Sequence, residues 1–278
     1  MKTILTLGIA LLAASAAQAG FIVTAPGPIN SNGPIGDAGN GIISGTYLGP
    51  TAIFGQLDFV GDLTEVNTGT YASEARWNIK NLNSGVTLAF QPSTIGNFTG
   101  TINVTKSVNL LWWSNNSDNY TFEAYESYND PGLDAQWTNV SFTFSDLGGI
   151  IDLGNYASGA FDINTFGSAF DTELALYSDT GLLIATNDDA QSTLQSQLLE
   201  TLGDGSYYVV LGGYNSQFIN GAALAGTSNG AYNLTVNGEL VSSGSLGQGQ
   251  FAVFSLTIPE PGTLALLGLG LLGLVRRR

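Results

Sequence analysis

The chain has 278 residues, of which 22 are Asp or Glu and only seven Lys or Arg, and it contains neither Cys nor His. Without them there is no disulfide, no thiolate nucleophile, no Ser-His-Asp triad and no imidazole metal ligand, so carboxylates, hydroxyls, Tyr and Lys are the groups left for chemistry. Four of the cations, Lys2, Arg276, Arg277 and Arg278, sit at the two ends, and the remaining Arg76, Lys80 and Lys106 face all the carboxylates but Glu260, a balance that excludes nucleic-acid binding through counterion release.

Residues 1–19 carry Lys2, an apolar stretch over 4–14 and the small residues Ala17 and Ala19 before Gly20. This is the layout of a secretory signal peptide cleaved ahead of Gly20. Residues 20–45 are rich in Gly, Pro, Asn and Ser, as in Pro26-Gly27-Pro28 and Gly39-Asn40-Gly41, and read as a loop or a loosely docked leader. From Thr46 onward, short β-type runs alternate with turn residues; 75–79, 86–90, 100–104, 108–113, 120–125 and 140–144 are the clearest. No segment before the last twenty residues sustains a 3.6-residue apolar period, and 192–199 is too short to establish one.

The expectation is an all-β chain of antiparallel, jelly-roll-like β-sandwich units. Its length suits two of ordinary size, over 46–145 and 146–258, or one unusually large sandwich; the joint between two would fall where Asp146-Leu147-Gly148-Gly149 interrupts the strand pattern. In the first unit Trp112 and Trp113, with Tyr120, Phe122 and Tyr125 nearby, are candidate ligand contacts for a polysaccharide, because aromatic faces stack on sugar rings. Alternating aromatics in strands are, however, more often half-buried core.

In the second unit, Ala160-Phe161-Asp162-Ile163 is followed by a stretch over 170–189 that reads as a strand, a tight Ser178-Asp179-Thr180-Gly181 turn, a second strand and an acidic loop. Folding that loop back would bring Asp188 and Asp189 toward Asp171, which makes the three a candidate calcium site; an acidic turn satisfying its own backbone is the plainer account. The hairpin, with later strands over 203–211 and 232–236, resembles the bacterial pre-peptidase C-terminal domain, a small jelly-roll-like sandwich appended to secreted proteins. The resemblance covers about 146–238 and departs by an insertion over 216–229, which affects loop lengths rather than architecture. A turn-rich link over 244–249 then leads to a last strand over 250–258.

The final twenty residues change character. Pro259, Glu260, Pro261 and Gly262 form a segment that the prolines keep extended. An uncharged run over 263–275 follows, which as a helix would span roughly 20 Å against a hydrocarbon core of ~30 Å. Arg276, Arg277 and Arg278 close the chain, able to snorkel to headgroups and hold that end in the cytoplasm. The proline-flanked glutamate, the hydrophobic helix and the arginine cluster together resemble the PEP-CTERM sorting signal of Gram-negative bacteria. The resemblance implies export, transient membrane insertion of the tail, processing by exosortase, a membrane protease, and release to the cell surface or the extracellular matrix.

Two function classes fit this frame. One is a non-catalytic binding or structural module, associated with biofilm or exopolysaccharide; the other is a secreted, carboxylate-based glycoside hydrolase or an accessory domain of polysaccharide processing. Asp188 and Asp189 are adjacent, so in an extended strand they point to opposite faces, which suits a loop ligand set better than an acid/base pair. The first class is preferred, with no catalytic residues assigned.

Overall fold

The computed structural model describes residues 20–25, 27–128 and 132–260; the expected signal peptide and the sorting helix lie outside the described residues. The first part of the chain supplies β1 (Phe21–Ala25), β2 (Ile29–Ser31), β3 (Ile42–Thr46), β4 (Ala52–Glu65), β5 (Ala75–Asn81), β6 (Thr87–Phe90), β7 (Thr101–Ser114), β8 (Asn119–Glu126) and β9 (Ala135–Asp146). The second part supplies β10 (Ile151–Asn155), β11 (Gly159–Asn164), β12 (Thr172–Ser178), β13 (Leu183–Asn187), β14 (Gln197–Leu202), β15 (Gly205–Gly213), β16 (Gln217–Ile219), β17 (Ala222–Leu224), β18 (Gly230–Val236), β19 (Glu239–Leu246) and β20 (Ala252–Ile258). Among the described residues there is no helix, as the missing 3.6-residue period requires.

These strands form four sheets with orders β3-β8-β5-β6, β1-β9-β4-β7-β17-β16 (β2 also on β9), β10-β20-β15-β12-β13 and β14-β11-β18-β19. The pairings are antiparallel apart from β10 on β20. Three hydrophobic cores lie between successive sheets. The first, between the β8 and β9 sheets, holds Trp77, Trp112, Trp137, Phe59, Phe122, Phe142 and Phe144. The second, between the β15 and β18 sheets, holds Leu174, Leu176, Val209, Leu211, Leu234, Phe254 and Leu256. The third joins the two sandwiches through Leu111, Trp113 and Ala223 on one sheet and Ala175, Tyr177, Val210 and Val253 on the other. Because β7, β12 and β15 are each covered on both faces here, their burial patterns lose alternation over several residues.

The stretch over 20–45 differs from a loose leader. It forms β1 and β2 on the β9 sheet and β3 on β8. Phe21, Val23 and Ala25 are buried in alternation while Ile22 and Thr24 face out, a period-two pattern that the surrounding Gly and Pro residues obscure. The paired runs over 100–104 and 108–113 are one long strand, β7, lying along β4 over most of its length.

The insertion over 216–229 also has a structural role. Its β16–β17 hairpin leaves the second sandwich and pairs with β7, Ala222 opposite Trp112 and Leu224 opposite Leu110, so it extends the first sandwich's sheet. Gly221 fastens it at both sides, accepting from the Trp113 amide at 2.9 Å and donating to the Gly181 carbonyl at 2.7 Å. Gly181 has φ +83°, and a side chain there would meet the Trp113 ring at 2.5 Å, so this turn needs glycine on both counts.

Candidate functional site

Trp112 and Trp113 do not form a surface platform. Trp112 is 0 % exposed in the first core and Trp113 is 4 % exposed between the sandwiches, so neither offers a ring face to a polysaccharide. Successive residues of β7 point to opposite faces, and both faces are covered at this end of the strand. Tyr120 and Phe122 are likewise buried.

The three aspartates do converge. Pairing of β12 with β13 places Leu174 opposite Asn187, which carries Asp188 and Asp189 back beside Asp171. One carboxylate oxygen from each lies within 4.8 Å of the others. Burial raises the Asp171 carboxyl above the usual carboxylate range, and Asp188 and Asp189 add to it; burial followed by Asp189 does the same to Asp188. Asp171 Oδ1 is buried without a hydrogen-bond partner.

Glu173, absent from the sequence reading, stands beside them on β12. It is 7 % exposed, accepts the Asn215 amide at 2.7 Å, and burial pushes it up to about 7 against that bond, with Asp188 and Asp171 adding repulsion. Nearby carbonyls are already engaged: Asp188 accepts from Ser196 Oγ at 2.6 Å and Asp171 from the Tyr214 amide at 3.2 Å. Calcium takes six to eight oxygens, so three carboxylates with few free carbonyls describe a weak, water-completed site at most.

A second buried carboxylate was also illegible. Glu126, at the end of β8, is 2 % exposed with Oε1 unpartnered; burial pushes it up to about 8, Asp134 and Glu74 add to that, and Ser31 and Arg76 pull the other way. Nothing in the local sequence marks it, since its environment comes from three distant strand ends.

At the two termini the described residues stop close to the expected processing points. Gly20 is exposed one residue before β1, while Ala17 and Ala19 lie outside the described residues. At the other end β20 runs to Ile258, a buried residue paired with Gly205, followed by half-buried Pro259 and exposed Glu260. Pro261, Gly262, Arg276, Arg277 and Arg278 lie outside the described residues.

No curated protein matches the chain. Among solved structures it is similar to dimeric latent PorU from Porphyromonas gingivalis at 10% identity and a TM-score of 0.25, over 84% of this chain and 22% of that one. The chain thus spans about a fifth of PorU, and so low a score carries no argument about function. Residues 257–278 match the PEP-CTERM protein-sorting motif, so the chain carries at its C-terminus the signal of an exported protein targeted to exosortase.

Proposed function

We propose that the body over 20–258 is a non-catalytic binding or structural module that works outside the cell, on the surface or in the matrix, in association with exopolysaccharide. The observation that carries this reading is the direct junction of the sorting motif with the fold: the motif's match begins at Thr257, inside the last strand, so the whole sandwich pair is the delivered cargo. Four stacked sheets give such a cargo broad, rigid faces and loop-lined grooves, and polymers bind along surfaces of that kind. In this reading the second sandwich keeps its resemblance to the pre-peptidase C-terminal domain, with the β16–β17 hairpin as an addition that fuses it to its neighbour. An inventory without His or Cys removes thiolate nucleophiles and the histidine general base.

The test is to incubate the secreted protein with exopolysaccharide from its own producing cells and with a panel of other polysaccharides. Retention without release of reducing ends supports the proposal. Turnover would overturn it in favour of a carboxylate-based hydrolase, and a deletion strain with unaltered biofilm would remove the matrix role.

A further inference from the structure

The two sandwiches meet along a groove of about 320 Å³, at the lower end of the ~300–1,000 Å³ of small-molecule sites, which favour junctions between folded units. Its walls come from remote segments: Gln56 of β4, Asn109 of β7, Ser145 and Asp146 at the end of β9, and Gln250 and Phe251 before β20. A β-bulge between Phe54 and Gln56, seen in the pairing with both β7 and β9, re-aims β4 at this point. Gly55 sits in that bulge against the connecting segment, where a side chain would meet Leu147 Cα at 2.9 Å.

The groove is polar and uncharged apart from Asp146. Each amide uses one end within the protein: Gln56 Nε2 donates to Asp58 Oδ1 at 2.7 Å, Asn109 Nδ2 to the Gly249 carbonyl at 2.6 Å, and Gln250 Oε1 accepts the Gly247 amide at 3.1 Å. Each of these amides carries a second polar end along the groove, and Asp146 Oδ1 is buried and unpaired. A buried acceptor without a donor calls for one. Among the described residues no basic side chain lines the groove, so phosphate or a uronic acid finds no counter-charge there. Hydroxyl groups, which both donate and accept, match this set, and half-buried Phe251 offers an apolar edge to a ring's carbon face.

We propose that this inter-sandwich groove is the sugar-binding site of the module and takes one or two units of a neutral, hydroxyl-rich polysaccharide. The inference rests on the exopolysaccharide reading and narrows it to six residues.

The full secreted protein is titrated with purified exopolysaccharide of the producing cells and with short fragments of it. Two variants test the groove. Gly148 lines the groove and a Cβ built there meets nothing within 4 Å, so Gly148→Trp sets a bulky ring at the groove's edge, and Asp146→Asn keeps the shape while removing the charge. The expected result is a loss of affinity of about tenfold or more in Gly148→Trp and a smaller change in Asp146→Asn, at unchanged melting temperature. If wild type binds and Gly148→Trp binds within twofold of it, the groove assignment is wrong while the broader reading stands. If wild type binds none of the polymer, the broader reading fails, and the groove with it.

Discussion

The rings of Trp113 and Tyr177 stack at 4.6 Å with their planes 29° apart, and this pair is the centre of the joint between the sandwiches. The Tyr177 hydroxyl continues past the stack to donate to the Ala222 carbonyl at 3.0 Å, in the hairpin that the second sandwich lends to the first. One tyrosine therefore touches a strand of each sheet and the hairpin between them. Burial removes its hydroxyl from water, which is why its pKa rises. Trp113→Ala should cost about 3–5 kcal/mol, the range for a truncated core aromatic. Tyr177→Phe should cost about 1–3 kcal/mol, by leaving a buried carbonyl unpaired. Calorimetry is the check. Wild type should melt in one transition and Trp113→Ala in two, as the sandwiches lose their coupling; a single, unshifted transition in Trp113→Ala would show that the joint contributes nothing.

Trp112 tests the first core in the same way. Its ring lies 6.1 Å from that of Tyr120 and 6.3 Å from that of Phe144, among buried neighbours. Trp112→Ala should lower stability by about 3–5 kcal/mol, or ~6–20 °C in Tm for a body of this size. A variant that kept the wild-type Tm would place Trp112 on the surface, against the arrangement described above.

Strand existence was legible where one face meets solvent. In β6 and β9 buried residues alternate with more exposed ones, so the period of two shows through. It was illegible in β4, where Gly55 and Gly61 break the apolar run, and in β1, where turn-forming neighbours mask Phe21, Val23 and Ala25. Of the candidate site residues, the aspartate triad could be read because a single hairpin turn brings its members together. Trp113 misled because its burial depends on Tyr177, which belongs to a different sandwich. The inter-sandwich groove had no local signature, since four segments remote in sequence build it.

Buried carboxylates set the pH dependence. Glu126 is raised from 4.5 to about 8 and Glu173 from 4.5 to about 7, so the folded state holds protons that the unfolded chain has released. Stability therefore falls as pH rises from about 4.5 through 7 to 8, and is fully present below that window. For Glu126 the loss should be on the order of 5 kcal/mol once the pH has passed its folded-state value. Glu126→Gln should flatten the upper part of the curve, measured by chemical denaturation at several pH values. Stability that rose from pH 5 to pH 8 in wild type would contradict this account.

Calcium should relieve the repulsion among Asp171, Asp188 and Asp189. At pH 7.5 and ten times its dissociation constant, calcium would add about 1.4 kcal/mol, or a rise of ~3–5 °C in Tm. Asp188→Asn with Asp189→Asn should raise the calcium-free Tm slightly and abolish the response. A wild-type Tm that stays constant up to 10-fold millimolar calcium, roughly the limit for weak extracellular sites, would leave the cluster as an acidic turn only.

The position of β20 gives C-terminal processing a structural consequence. β20 lies inside its sheet, between β10 and β15, with Ile258 opposite Gly205 and the Thr257 carbonyl accepting the Tyr156 amide at 2.9 Å. Phe254, Leu256 and Ile258 fill the second core. A cut at or just after Pro259, Glu260, Pro261 or Gly262 removes no strand residue, so the processed protein should keep the stability of the precursor's body. A chain stopped before Ala252 should lose the second core and fail to fold. Replacing Pro259, Glu260 and Pro261 together with Ala should leave the tail attached and hold the protein in the membrane fraction. Intact mass and fractionation of the native protein decide the matter: a mature product beginning at Gly20 and ending within 259–262 is expected, and one that still ends at Arg278 would refute exosortase processing of this chain.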